Sequence, residues 1–283
     1  MARIALLGTG LLGSGMVRRF LKGGTPVTVW NRTAAKAQAL VAQGAKIAAS
    51  PADAAAGADH IHFVLPDDEI VDGILEQIAP SLKPGAVVID HSTTLPEKTK
   101  ARFERLRSRG VRFLHAPVFM SPQMAEDGIG LILVSGPAKE FDEVRAELEE
   151  MTGEVWNLGE RPDLAAAYKL FGNCMLFAIS AGMADVIAMA RANAIDPVEA
   201  FSVFSKFQAG NIIAGRGPRM ARGEVTPASF EVAMARKDAR LMIEAAKQEP
   251  LVALPCVARR MDELIEEGRG DEDLAAMGVR PPL

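Results

Sequence analysis

Short apolar runs recur along the first half of the chain at 4–7, 27–30, 61–65, 87–89, 113–115 and 131–134. Between them lie stretches with helical spacing near 12–22, 34–43, 51–56, 67–79, 96–109 and 137–151. Strands that alternate with helices predict a parallel, doubly wound sheet, and the uniformly apolar 4–7 and 87–89 suit strands covered on both faces. After Trp156 the rhythm changes. Residues 163–194 read as one long helix with only Gly172 and Gly182 inside it, and further helical patterns fall near 197–206, 228–248 and 255–268 with no strand-like run among them. Pro162 and Asp163 suit the start of that helix, the proline through its fixed φ and the aspartate as an acceptor for free backbone N–H groups. The pattern predicts an α/β domain over 1–161 and an all-α domain over 162–283, joined by the long helix.

Composition agrees with two folded domains. The chain has 283 residues, of which 49% are hydrophobic and 24% charged, and no repeat or low-complexity tract interrupts it. Charge is unevenly placed. Residues 1–52 contain seven Lys and Arg and no acid, so the net charge of −4 leaves −11 on the rest. An anion is therefore expected at the N-terminal end, while the acidic whole gives no basic footprint for nucleic acid and no polybasic run for a membrane surface. No apolar run is read as reaching the roughly 18 residues that span a bilayer. A first strand beginning at Arg3 leaves no room before it for a targeting segment, so a cytoplasmic protein is expected. Cys174 and Cys256 sit among apolar neighbours and are expected to be buried, reduced thiols. The histidines, His60, His62, His91 and His115, show no zinc-ligand spacing and are not expected to form a metal-ligand cluster.

Gly8-Thr9-Gly10-Leu11-Leu12-Gly13 fits G-x-G-x-x-G at the junction of the first strand and first helix. In that position the three glycines allow, in turn, a tight turn, close approach of a pyrophosphate, and packing of helix on strand. The helix N-terminus then offers free N–H groups and its positive dipole end to phosphates. Enzymes that take NAD usually place a carboxylate after the second strand to bond the ribose 2′-hydroxyl. Here the chain reads Asn31-Arg32-Thr33. Without an acid, the Arg32 guanidinium, the Asn31 amide and the Thr33 hydroxyl form a donor set for a 2′-phosphate, which points to NADP(H).

Taken with these motifs, the chain resembles the β-hydroxyacid dehydrogenases, the group that includes 3-hydroxyisobutyrate dehydrogenase and the glyoxylate and succinic semialdehyde reductases. The resemblance runs nearly the whole length, through Leu65-Pro66-Asp67, Asp90-His91-Ser92-Thr93, Ala116-Pro117-Val118, Lys169 with Asn173, Arg236-Lys237-Asp238, and a tail with Gly270-Asp271-Glu272-Asp273. It implies a Rossmann-type N-terminal domain and a catalytic Lys169, acid in reduction and base in oxidation, with Asn173 one helical turn on holding the substrate oxygen. It implies Leu65 and Pro66 near the adenosine side of the cofactor, Thr93 near the nicotinamide, and Lys237 near cofactor or substrate. A homodimer or larger assembly is implied as well, with the apolar run 175–179 of the long helix needing cover.

One segment departs from that pattern. Where the family normally continues Ala-Pro-Val with Ser-Gly-Gly, this chain has Phe119-Met120-Ser121-Pro122. Phe119, Met120 and Ser121 are the expected substrate-pocket residues, and two large apolar side chains there weaken carboxylate recognition. The loop is closer to that of the imine reductases, although Lys169 is kept where those enzymes commonly carry Asp or Tyr. The expected function is NADPH-dependent reduction of a small aldehyde or keto acid, or the reverse oxidation of a 3-hydroxy acid. Imine reduction or reductive amination, and an inactive nucleotide-binding scaffold or sensor, are the alternatives.

Overall fold

The computed structural model describes residues 2–279. Strand β1 (Ile4–Leu7) has a parallel neighbour on each side, β2 (Val27–Trp30) and β4 (His60–Phe63). With β3 (Lys46–Ile47) beyond β2, and β5 (Val87–Asp90) and β6 (Arg112–His115) beyond β4, they form a six-stranded parallel sheet ordered β3-β2-β1-β4-β5-β6. Helices α1 (Leu11–Lys22), α2 (Ala34–Val41), α3 (Pro51–Ala55), α4 (Asp68–Ile78) and α5 (Pro96–Ser108) fill the connections. Every residue of β1, β4 and β5 is buried, as parallel strands between two helical layers require. Leu6, Val17 and Phe20 pack on one face of the sheet and Leu7, Phe63 and Leu75 on the other. Local chemistry starts the helices where the chain must turn: Ser50 and Asp67 accept from the amides of Asp53 and Ile70, and Pro96 opens α5.

The run at 131–134 does not join this sheet. After β7 (Val118–Phe119) and α6 (Pro122–Asp127), Leu131–Val134 forms β8 of a separate three-stranded sheet, antiparallel to β7. Beyond α7 (Ala138–Met151), β9 (Glu154–Asn157) pairs with β8 in parallel. The apolar pattern shows neither β7, which is two residues long, nor β9, which is largely exposed, nor the single turn and a half of α6.

Helix α8 (Leu164–Ala192) follows, one residue inside the expected start. Its cap comes from elsewhere than expected. The Asp163 carboxylate is paired with Arg161 at 2.6 Å, and Ser135 Oγ accepts from the Ala165 amide at 3.1 Å while donating to the Pro162 carbonyl. The chain divides into two compact units within this helix, the first ending at Asn173 and the second beginning at Cys174. Contrary to the reading of the apolar runs, α8 is long and apolar enough to cross a membrane by length and composition, with a mean hydropathy of 1.6. Two charged residues interrupt its apolar stretch: Lys169, whose Nζ lies over the Phe119 ring, and Asp185, which accepts from the amides of Val252, Ala253 and Leu254. Cys174 and Cys256 are exposed, not buried. At Cys174 the apolar neighbours that suggested burial are themselves exposed along α8.

The second unit is helical throughout its described residues. The expected helix at 197–206 is the four-residue α9 (Pro197–Ala200) and a 3-10 turn over Phe201–Ser205. Helix α10 (Asn211–Arg222) escapes the sequence pattern because Gly215, Gly217 and Pro218 lie within it, all poor helix formers. Helices α11 (Val232–Ala246) and α12 (Leu254–Glu266) pack through Val232, Ala235, Ala239, Met261 and Leu264. Asp273, fully buried, ties the tail to the start of α11 by accepting from Ser229 Oγ at 2.6 Å, the Ser229 amide at 2.8 Å and the Ala275 amide at 2.9 Å. Burial opposes its charge, but these donors hold its carboxyl well below the usual range.

Candidate active site

The turn from β1 to α1 is shaped for something other than the protein itself. A Cβ at Gly8, whose φ is +106°, would strike the Val64 carbonyl oxygen, and one at Gly13 would strike the Gly8 carbonyl. Packing therefore demands those two glycines. Gly10 is different: it has φ −67° and ψ −168°, open to any residue, and a Cβ there would meet no protein atom within 4 Å. Gly10 caps α1 with no side-chain acceptor, and the first turn contains no acid, so the free amides at its start face space that a side chain would fill. Beneath them Thr9 Oγ1 is buried without a partner, while the Thr9 amide donates to Asn31 Oδ1 at 3.0 Å. The arrangement fits the pyrophosphate of a dinucleotide.

A cleft of about 650 Å³ extends from this turn, lined by Gly8, Gly10, Leu11 and Leu12, by Trp30 to Thr33, and by Leu65, Pro66 and Ile70. It brings together most of the cofactor residues expected from sequence. Asn31 does not serve as expected: its Oδ1 accepts from Thr9 and its Nδ2 donates to the Thr33 carbonyl at 3.0 Å, so its amide braces two turns. The donors left for a 2′-phosphate are Arg32, Thr33 at the N-cap of α2, and Lys36 one turn along, all three exposed. Lys36 was missed by the sequence reading, although it stands in the same acid-free stretch. Helix α2 has no acid in its first turn, and the Thr33 side chain makes no capping bond, so its amides also favour an anion.

The end of β5 supports the cleft from behind. Ser92 Oγ accepts from the Leu65 amide at 3.0 Å, and the Ser92 amide donates to Asp90 Oδ1 at 2.9 Å. Thr93, next along, is exposed at the carboxyl end of the sheet, where such folds bind ligands.

Lys169 lies on the first turns of α8 with Nζ 4.0 Å from the centroid of the Phe119 ring. The same ring fills the notch at Gly172, where a Cβ would strike it. Burial pushes the Lys169 ammonium below its ordinary value. Tyr168 turns away, its ring edge-on to Trp156 at 5.5 Å. Asn173 follows Lys169 by four residues, so both leave α8 on one side. The other two expected pocket residues have structural duties. Met120 packs against the main core, and Ser121 Oγ caps α6 by accepting from the Met124 amide at 3.2 Å. Lys237 lies on α11 in the second unit, ion-paired with Asp238 at 2.5 Å.

Three of the histidines nevertheless meet in a hydrogen-bonded group. His60 and His62 share the Glu147 carboxylate at 2.7 and 2.6 Å, and His62 contacts His91 at 2.9 Å. Among the described residues, no group of three or more His, Cys, Asp or Glu side chains is arranged to hold a metal ion.

Comparison with known proteins agrees with the cleft. A family model described as the NAD binding domain of 6-phosphogluconate dehydrogenase matches residues 3–159. A second, described as the NAD-binding of NADP-dependent 3-hydroxyisobutyrate dehydrogenase, matches residues 164–279. The chain is 30% identical to glyoxylate/succinic semialdehyde reductase 2 of Arabidopsis thaliana, over 97% of its own length and 78% of that protein's. It is 29% identical to 3-sulfolactaldehyde reductase of Escherichia coli, over 98% and 95% of the two lengths. An imine reductase of Streptomyces aurantiacus shares its fold with a TM-score of 0.89 at 25% identity, over 97% of this chain and 98% of that one. A dinucleotide turn, an α/β unit and a helical unit in that order, and matches to both halves together place the chain in the 3-hydroxyisobutyrate dehydrogenase family of NAD(P)-dependent oxidoreductases.

Proposed function

We propose that the protein is an NADPH-dependent reductase of small aldehydes or keto acids, run in reverse as a 3-hydroxy acid dehydrogenase. The observation that carries this reading is the half-buried Lys169 ammonium, whose pKa is lowered by burial and which has no carboxylate in ion-pair contact among the described residues. A cation so placed is costly unless it has a task, and proton donation is a task it can perform. When bound, the reduced nicotinamide supplies a hydride to the carbonyl carbon. Lys169 offsets the charge that develops on the carbonyl oxygen and delivers a proton from Nζ, while the Asn173 amide donates to the same oxygen. The Phe119 ring keeps water from one side of Nζ. Arg32, Thr33 and Lys36 hold the 2′-phosphate, and the amides opening α1 hold the pyrophosphate.

Phe119 also supports a second reading, reduction of C=N bonds, because the loop sets a phenyl ring beside Lys169 in place of a hydroxyl. The two readings separate in one experiment. NADPH consumption is followed with glyoxylate and succinic semialdehyde in one series and with cyclic imines in another. Turnover of the carbonyl series is expected. Turnover of imines alone replaces the first reading with the second, and NADPH binding with no turnover in either series removes both in favour of a nucleotide-binding scaffold.

The same reading includes a homodimer. Helix α8 exposes Phe171, Met175 and Ile179, which succeed one another turn by turn on one side, at 65%, 44% and 48%, an apolar face too large for a lone chain to leave to water. A second copy of this 30.2 kDa chain is the cover we assign to it. Light scattering is expected to return twice that mass or a multiple, and a monomeric mass removes the proposal.

A further inference from the structure

Buried histidines with no part in the chemistry above form a continuous hydrogen-bonded chain that ends at the substrate loop. His60 and His62 alternate along β4 and share one face of the sheet, where Glu147 of α7 accepts from both. His62 Nδ1 lies 2.9 Å from His91 Nε2, and His91 Nδ1 lies 2.6 Å from the Ala116 carbonyl oxygen. His62 is fully buried and His91 is 3% exposed, with the two rings stacked at 5.2 Å and Phe20 edge-on to His62.

Counting protons fixes what this chain requires. A carbonyl only accepts, so His91 Nδ1 carries a hydrogen and donates it to Ala116. Burial, with His62 beside it, holds His91 down to about 3, so it is neutral and its Nε2 is an acceptor. His62 Nδ1 must then donate to it. The remaining contact, His62 Nε2 to Glu147 Oε1 at 2.6 Å, needs a third proton, which two neutral imidazoles do not possess. Burial opposes ionisation of Glu147, yet the hydrogen bonds from His60 and His62 bring its carboxyl down to about 2; the third proton is the one that lies in the His62–Glu147 hydrogen bond. If that proton is lost, two lone pairs face each other somewhere along the chain, and one of its three bonds breaks.

Ala116 is where the main chain leaves β6 for β7, three residues before the ring that lies on Lys169. The neighbouring Ser92 accepts from Leu65 in the cofactor cleft, so the His91–Ser92 peptide fixes the substrate loop with one residue and the cleft wall with the next. We infer that the Glu147–His62–His91 chain positions the segment from Ala116 to Phe119 over Lys169, setting substrate affinity through a third proton it must hold. The inference rests on the reading of Lys169 as proton donor. The charged and titratable groups facing the chain are His60 and Glu143 at the Glu147 end, 3.8 Å from each other, and Asp90 and His115 near His91. Arg112 neutralises Glu143 at 2.6 Å, and Phe20 of α1 adds no charge.

The test is the pH dependence of KM for succinic semialdehyde at saturating NADPH, between pH 6 and pH 10. In the wild type KM is expected to rise with pH by roughly three- to tenfold, the usual worth of one hydrogen bond. Glu147→Gln is isosteric, and its amide can donate to His62 Nε2 while accepting from His60, closing all three bonds with neutral imidazoles. Its KM is expected to be flat with pH. His91→Phe removes the donor to Ala116, so its KM should be raised at every pH. A Glu147→Gln protein that keeps the wild-type rise, or a folded His91→Phe protein with the wild-type KM, overturns the inference. Failure of the Lys169 reading shows separately, as a kcat insensitive to Lys169→Ala. If no carbonyl is turned over, NMR decides: imidazole nitrogen signals report loss of the proton in the His62–Glu147 hydrogen bond, and the Phe119 ring signals must move with that loss. Phe119 signals that stay fixed while that proton is lost overturn it without any activity measurement.

Discussion

Lys169→Ala lowers kcat for carbonyl reduction at saturating NADPH by about 10²- to 10⁴-fold, the usual contribution of a positioned proton donor. The loss belongs in kcat, because a proton delivered to the developing alkoxide is an interaction made in the transition state and not in the ground state. NADPH affinity is expected to change little, since Lys169 does not line the cleft that holds Arg32, Thr33 and Lys36. Lys169→Arg is not expected to restore activity: a guanidinium keeps its charge but releases no proton at any working pH. The sign of the pH effect follows from the environment. Burial lowers the Lys169 pKa from its ordinary 10.5. The acid form is present below that lowered value and lost above it. The kcat of reduction therefore falls as pH rises through it, while oxidation, which needs the free amine, rises. A Lys169→Ala enzyme with wild-type turnover removes the residue from the chemistry.

The parts of this site that could be read from the sequence are those whose physical demands are local. Gly8 and Gly13 are needed because adjacent backbone leaves no room for a side chain, and Gly10 because a ligand needs that room, so the demand appears as a spacing within six residues. The uniformly apolar β1 and β5 announce a sheet covered on both faces for the same reason. What stayed hidden depends on partners far away in the chain. His60 and His62 look like ordinary strand residues until Glu147, 85 residues beyond His62, and His91, 29 beyond it, meet them across the sheet. Asn31 reads as a phosphate donor by its neighbours and becomes a brace only because Thr9 folds back to it. The second sheet is missed for a different reason: β7 has too few residues for an alternation to show. Exposure of Cys174 and of the apolar face of α8 has yet another origin, because a pattern of apolar residues records that a face is covered but not whether its own chain covers it.

Replacing both Arg32 and Lys36 with alanine is expected to lower kcat/KM for NADPH by about 100-fold while changing that for NADH severalfold at most. The estimate takes about 1.5 kcal/mol for each charge-assisted contact with the 2′-phosphate, the low end of the usual range, because both side chains are exposed and screened by water. NADH offers a hydroxyl at that position, so the cations lose little by their removal. Arg32 should account for the larger share, since its planar fork can engage two phosphate oxygens at once whereas the Lys36 ammonium acts as a point charge. Thr33 and the amides opening α2 remain in the double variant, which is why residual preference for NADPH is expected. Salt gives an independent check. Raising ionic strength from about 0.1 to 1 M shortens the screening length from about 10 to 3 Å. In the wild type this should weaken NADPH binding much more than NADH binding, and in the double variant the two cofactors should respond alike. A double variant that keeps the wild-type ratio of NADPH to NADH would assign the anion site to the backbone of α2 alone, and the acid-free first 52 residues would then need another cause.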